Sequence, residues 1–434
     1  MKILIKNGRV INPASGFDQV ADLAIAAGRI ASIGAAPADF APNKTMDASG
    51  CVVAPGLIDL SVRLREPGHE HEGMLESELA AAVAGGVTSL VCPPDTDPVL
   101  DEPGLVEMLK FRAEKLHQSR VFPLGALTRG LRGTALTEMA QLTEAGCIGF
   151  SQAEVPLEDT QVLQRALQYA ASFGLTVWLR PQDMYLGKGV AASGALATRL
   201  GLPGVPVAAE TIALHTIFEL VRATGARVHL CRISSAAGLA LVARAKADGL
   251  NVSCDVSINS LHLTDTDIGY FDSRMRLDPP LRQQRDRDAL RQGLLDGTVD
   301  ALVSDHSPVD EDAKTLPFAE AEPGATGVEL LLGLACNVPS DEPSTRAGSL
   351  VSTASARSKP APLSSPHLQA RPSSSSSPVA PGSASAKGKV LASSSTGEWS
   401  DTSASTVPSS RPWRSASRSR CWRSGGSSRM RLSK

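Results

Sequence analysis

From residue 56 to 335 the chain alternates helical and strand patterns, and no other feature limits its fold as tightly. Helix-like segments at 74–84, 102–119, 136–145, 159–173, 208–224, 236–248 and 285–295 each lead into a short apolar segment. Those segments are 87–92, 121–124, 147–150, 175–180, 227–233, 252–256 and 301–303. Helix–strand repeats with short links predict an α/β protein with a (β/α)8 barrel. A doubly wound open sheet is the alternative. No Gly-rich phosphate loop follows the first strand, which weighs against it.

Residues 1–55 read differently. Ile3-Leu4-Ile5, Val10-Ile11, Asp22-Leu23-Ala24-Ile25 and Arg29–Ile33 are short β patterns, so this is a small all-β unit. Lys6-Asn7-Gly8 is expected to be a hairpin-type turn. From 336 to 434 Ser, Pro, Ala and Arg crowd the chain and apolar periodicity vanishes. Such composition buries too little apolar surface to offset ordering entropy, so a disordered tail is one reading.

The formal charge of −2 argues against nucleic-acid binding. No apolar run reaches the ~18–20 residues that span a membrane. No signal-peptide pattern opens the chain. The seven cysteines are scattered singly, which predicts a reducing, cytoplasmic location.

The stretch Pro55-Gly56-Leu57-Ile58-Asp59-Leu60-Ser61-Val62-Arg63-Leu64-Arg65-Glu66-Pro67-Gly68 reads as a strand that stops at Pro67-Gly68, with Asp59, Ser61, Arg63 and Arg65 on one face. It resembles the first barrel strand of dihydroorotases, in the amidohydrolase superfamily, whose pattern is P-G-x-I-D-x-H-x-H-x-R-x-P-G. Further motifs carry the resemblance from about residue 1 to 335. Cys92-Pro93-Pro94-Asp95-Thr96 is similar to M-P-N-T. Phe150-Ser151-Gln152-Ala153 is similar to F-S-D-D, and Leu179-Arg180-Pro181-Gln182-Asp183 to H-x-E-D. His229-Leu230-Cys231-Arg232-Ile233-Ser234 is similar to H-x-x-H-x-S. Asp278-Pro279-Pro280-Leu281-Arg282 is similar to N-P-P-L-R, and Asp305-His306-Ser307-Pro308-Val309 to D-H-A-P-H.

The resemblance implies a metal-dependent-hydrolase barrel with a small β-sandwich side domain, completed in the family by carboxy-terminal strands. It also implies catalytic zinc, but the ligand histidines are replaced by Ser61, Arg63, Arg180 and Arg232. Serine is a poor zinc ligand, and arginine stays protonated. The family's acidic ligand position falls on Gln152 or Ala153. Three arginines are expected to leave excess positive charge there, and no metal cofactor is expected. Asp305 stands at the catalytic base, expected to survive as a structural carboxylate paired with an arginine. Arg65, Asp95 and Asp278 stand at substrate-binding positions, with residual anion binding open for Arg65. His229 and His306 are expected to be satisfied in place, and His69-Glu70-His71 to form a solvated face rather than a zinc site.

Such non-catalytic relatives accompany aspartate carbamoyltransferase in some bacteria. The resemblance therefore implies a structural partner of that enzyme in pyrimidine biosynthesis, with homo-oligomeric contacts. An active cyclic-amide hydrolase and a metabolite-binding barrel are the alternatives. It also offers a second reading of the tail: an out-of-frame reading of a GC-rich gene from about 335–339.

Overall fold

A computed structural model of the chain describes residues 1–338. Expectations for 339–434, including the out-of-frame reading, lie outside the described residues.

The amino-terminal unit is one five-stranded sheet among the described residues. Strand β1 (Lys2–Asn12) pairs antiparallel with β2 (Phe17–Ala26), which pairs antiparallel with β3 (Arg29–Ile33). Strands β4 (Lys44–Asp47) and β5 (Val52–Val53) add parallel to β1. Lys6-Asn7-Gly8 is not a hairpin turn. It lies inside β1, where Ile5 faces Leu23 but Gly8 faces Ala21, so one residue is extra. That is a β-bulge, and Asn7 meets it with φ 61°. An Asn-Gly pair reaches positive φ cheaply, and a bulge uses that freedom as readily as a turn. The chain reverses instead between Asn12 and Phe17. Val10, Leu23, Ala24 and Ile25 are buried, whereas Val20 is 73% and Val52 57% exposed.

The barrel strands are β6 (Leu57–Asp59), β7 (Val87–Cys92), β8 (Arg120–Pro123), β9 (Gly125–Ala126), β10 (Phe150–Ser151) and β11 (Thr176–Leu179). A small parallel ribbon, β12 (Ala191–Ala192) with β13 (Gly204–Val205), stands apart from them. The barrel continues with β14 (Arg227–Leu230), β15 (Val252–Ser257) and β16 (Ala301–Val303). Pairing is parallel throughout. β8 joins β7 and the next short piece, β9, joins β10, so together they fill one barrel position. The ring closes between its first and last strands. Val62 bridges His306, and Arg63 N donates to His306 O at 2.9 Å. Ser304 N donates to Asp59 Oδ1 at 3.2 Å. Eight positions therefore complete the barrel.

The strands are short, apolar runs because helices cover their outer faces. The helix Thr160–Ser172 shows why these segments cover a sheet. Asp159 caps it, accepting from Gln161 N at 2.8 Å and Val162 N at 3.3 Å. Val162, Leu163, Ala166, Leu167 and Ala170 recur on one face and are buried.

The first barrel strand is shorter than its sequence pattern. Regular pairing ends at Asp59, and residues 60–66 continue irregularly between the neighbouring strands, with Val62 N donating to Val91 O at 3.1 Å and Val62 bridging His306. The Pro67-Gly68 corner then passes close to the loop after β7, where Asp97 N donates to Pro67 O at 3.0 Å. A Cβ at Gly68 would lie 2.2 Å from Asp97 O, and its φ of 98° also calls for glycine.

Candidate functional site

Four residues at the carboxy-terminal ends of barrel strands sit in the left-handed region: Arg65 (φ 62°), Ala153 (φ 50°), Arg232 (φ 53°) and Asp305 (φ 55°). Such backbone is costly for a residue with a side chain and persists where the surrounding structure over-determines it. These turns aim their own side chains, or those beside them, into one space at the top of the barrel.

Arg63, Arg180 and Arg232, which follow β6, β11 and β14, converge there and are at most 8% exposed. The group that joins them is Glu154, which follows β10. One of its oxygens accepts from both Arg63 and Arg232, the other from Arg180. Arg180 also makes a two-pronged pair with Asp278. Arg63 Nε donates to Asp95 Oδ2 at 2.8 Å, and Arg232 Nη1 to Asp305 Oδ1 at 3.1 Å. Three guanidinium groups thus face four carboxylates.

This corrects the expectation of excess positive charge, because Glu154, Asp95, Asp278 and Asp305 balance the arginines. The acidic position falls on Gln152 or Ala153, neither of them an anion, and the carboxylate in the site is the next residue, Glu154. Gln152 is a structural amide, donating to Leu131 O at 2.8 Å and accepting from Thr128 Oγ1 at 2.9 Å. Asp305 pairs with an arginine as expected. Asp95 and Asp278 are tied to Arg63 and Arg180. Arg65 is anchored through two of its nitrogens: Nε donates to Pro308 O at 2.8 Å and Nη2 to Ser307 Oγ at 3.0 Å, and Glu72 Oε2 lies 2.7 Å from Nε.

The electrostatics follow from burial and pairing. Burial alone would raise the Glu154 carboxyl, but the combined field of Arg232, Arg180 and Arg63 holds it well below its usual range. Asp278 is likewise lowered, with Arg180 outweighing burial. Asp305 is raised, because burial outweighs Arg232 and Arg63. Burial would depress the arginines, yet their carboxylates push Arg63, Arg180 and Arg232 above the ordinary value. The cluster is an ion lattice in its charged form.

A cleft of about 160 Å³ remains beside it, lined by Arg63, Arg65, Asp95, Arg232, Asp305 and Ser307, among others. The donors at the family's ligand positions do not fit a metal. Three are guanidinium groups already bonded to carboxylates. Ser61 has its N–H on Asp59 Oδ1 at 3.2 Å and does not line the cleft.

Deeper in the barrel, His229, Cys231 and Asp255 lie together. They do not fit a metal either. His229 Nδ1 and Nε2 are bonded to Ser253 Oγ at 2.8 Å and Asp255 Oδ2 at 2.9 Å. Asp255 Oδ1 accepts Arg232 N at 2.7 Å, and burial holds the Cys231 thiol well above its ordinary value. His306 is also satisfied, as expected. Gly327 N donates to its Nδ1 at 3.1 Å, so Nε2 carries the proton and donates to Glu78 at 2.5 Å.

The family model described as dihydro-orotase-like matches residues 50–237. A dihydroorotase-like protein of Pseudomonas aeruginosa is 49% identical over 342 residues, covering 79% of this chain and 81% of that protein. The chain belongs to the dihydroorotase-like family. A protein named dihydroorotase from Geobacter metallireducens is 38% identical over 335 residues, 77% of this chain and 79% of its own length. Among solved structures, an L-hydantoinase (dihydropyrimidinase) from Arthrobacter aurescens superposes with a TM-score of 0.67 at 22% identity, over 77% of this chain and 76% of that one. This dihydroorotase-like chain thus shares the fold of that hydantoinase. No helix among the described residues is long and apolar enough to cross a membrane.

Proposed function

We propose that this dihydroorotase-like protein is catalytically inactive and serves as a structural partner of aspartate carbamoyltransferase in pyrimidine biosynthesis. The observation that carries the first half is Glu154 bound to three arginines. Positions that would hold a metal hold an ion lattice, so the site offers neither a metal-activated water nor a Lewis acid for opening a cyclic amide. Asp305 is the one residue at a catalytic position of the family with the right chemistry, and Arg232 occupies it.

The second half rests on the family resemblance, since a barrel without catalysis in this family is known as an assembly partner. The metabolite-binding alternative would rest on Arg65, whose Nε and Nη2 are already held by Pro308 and Ser307. The experiment is co-expression with the aspartate carbamoyltransferase of the same organism, followed by size-exclusion chromatography. Co-elution at a mass above either protein alone is expected. Separate elution at micromolar concentrations of both would overturn the partner role.

A further inference from the structure

A second cleft, of about 180 Å³, opens between the helices Thr160–Ser172 and Val207–Thr224 and the segments that follow β10 and β11. It shares no lining residue with the cleft beside the ion lattice. Leu157, Leu163, Met184 and Ile217 give it apolar walls. Val155, Tyr185 and Ile212, also in its lining, are 42%, 61% and 46% exposed. Apolar side chains left in water around a concavity mark a binding surface. The loop that carries Tyr185 is held in place. Asp183 N donates to Ala209 O at 2.8 Å, and Asp183 Oδ1 accepts from Tyr185 N at 3.0 Å and Leu186 N at 2.8 Å. Tyr185 Oη donates to Glu158 Oε1 at 2.5 Å, which joins the two segments.

We propose that this cleft binds a small aromatic amine, its ring against the apolar walls and its ammonium at Glu158 beside the Tyr185 ring. The size fits one ring with a short arm, since an apolar cavity of ~150 Å³ holds benzene. The charge fits a cation. The ionised lining groups are Glu158, Asp183 and Arg180, and the Arg180 guanidinium is already bonded to Glu154 and Asp278. Lys188 is not part of the lining, and setting it against one carboxylate still leaves one negative charge unmatched. Its Nζ stands 5.0 Å from the Tyr185 ring centroid, so this ring already draws a cation. An aromatic face next to a carboxylate favours an ammonium over a neutral or anionic group. The site lies outside the ion lattice and does not depend on the function proposed above.

The test is a saturation-transfer NMR titration of the full-length protein with benzylamine, a cation at neutral pH. Benzyl alcohol and benzoate, of similar size, serve as its neutral and anionic counterparts. Saturable binding of benzylamine with a Kd of about 1 mM is expected, as befits a ligand of one ring. Benzyl alcohol should bind about three- to fivefold more weakly, and benzoate should not saturate. Glu158→Gln keeps an acceptor for Tyr185 and removes the charge, so it should weaken benzylamine about three- to fivefold and leave benzyl alcohol unchanged. Ala213→Phe fills the cleft and should abolish both. His215→Phe, at an exposed position on the same helix and outside the lining, should change neither. No saturation by benzylamine up to about 20 mM, some twentyfold above that Kd, would overturn the proposal. So would benzoate binding as well as benzylamine, or benzylamine binding that Glu158→Gln leaves untouched. Glu158 is exposed, so its replacement should keep the fold and the result readable.

Discussion

Replacing Glu154 by glutamine keeps the shape of the side chain and removes the charge that three arginines share. Arg63, Arg180 and Arg232, each at most 8% exposed, would then keep only Asp95, Asp278 and Asp305 as partners. Removing one member of a buried ion pair costs ~3–5 kcal/mol, since the charges left behind stay desolvated. The Glu154 side chain is 30% exposed toward the cleft, where water can answer part of the loss. The lower end, about 3 kcal/mol, is therefore expected. For the 338 described residues that lowers the melting temperature by roughly 4 °C. Urea unfolding followed by fluorescence measures it directly. The pH dependence supplies an internal check. Glu154 is held below its ordinary value of 4.5, so its contribution is whole above that pH and is lost as pH falls through the lower folded value. The gap between parent and variant should be flat near neutrality and close in acid. A loss smaller than about 1 kcal/mol at neutral pH, or a gain, would refute the lattice as a stabilising unit.

Asp59 should behave in the opposite sense. Burial raises its carboxyl from 3.8 to about 6, so its folded form favours the proton, and the stability this brings is lost as pH rises between those values. Asp59→Asn should remove a decline of roughly 2–3 kcal/mol from the parent's stability profile across that interval, and an unchanged slope would contradict the assignment. Restoring histidine at Ser61 and Arg63 together should give no dihydroorotate turnover, since Arg180 and Arg232 still occupy the centre. Clear turnover by that double variant, measured with added zinc, would show that the remaining groups can hold a metal.

The barrel is legible in the sequence because each helix–strand unit must bury an apolar face, and that demand is written in every repeat. The ends of the strands are less so. Leu60–Leu64 keeps an alternating pattern, yet regular pairing stops at Asp59 and only Val62 and Arg63 keep contact with the neighbouring strands. Lys6-Asn7-Gly8 supplies positive φ, and the sequence does not say whether a turn or a bulge uses it. The replaced positions 61, 63, 180 and 232 are readable one by one. Their neutralisation is not, because Glu154 lies just past the motif that marks the acidic position. It enters the site only because Ala153 adopts a left-handed conformation, which alanine does not advertise. Asp95 and Asp278 look like lost substrate contacts in sequence and become arginine partners once the strand ends are brought together.

The most direct test of the central claim is an assay of the purified, zinc-supplemented protein for interconversion of dihydroorotate and N-carbamoyl-aspartate. An ion lattice in place of the metal predicts a rate no different from the buffer blank at any substrate concentration. Saturable turnover that disappears in Asp305→Asn would contradict it, because the carboxylate assigned here to Arg232 would then be serving catalysis.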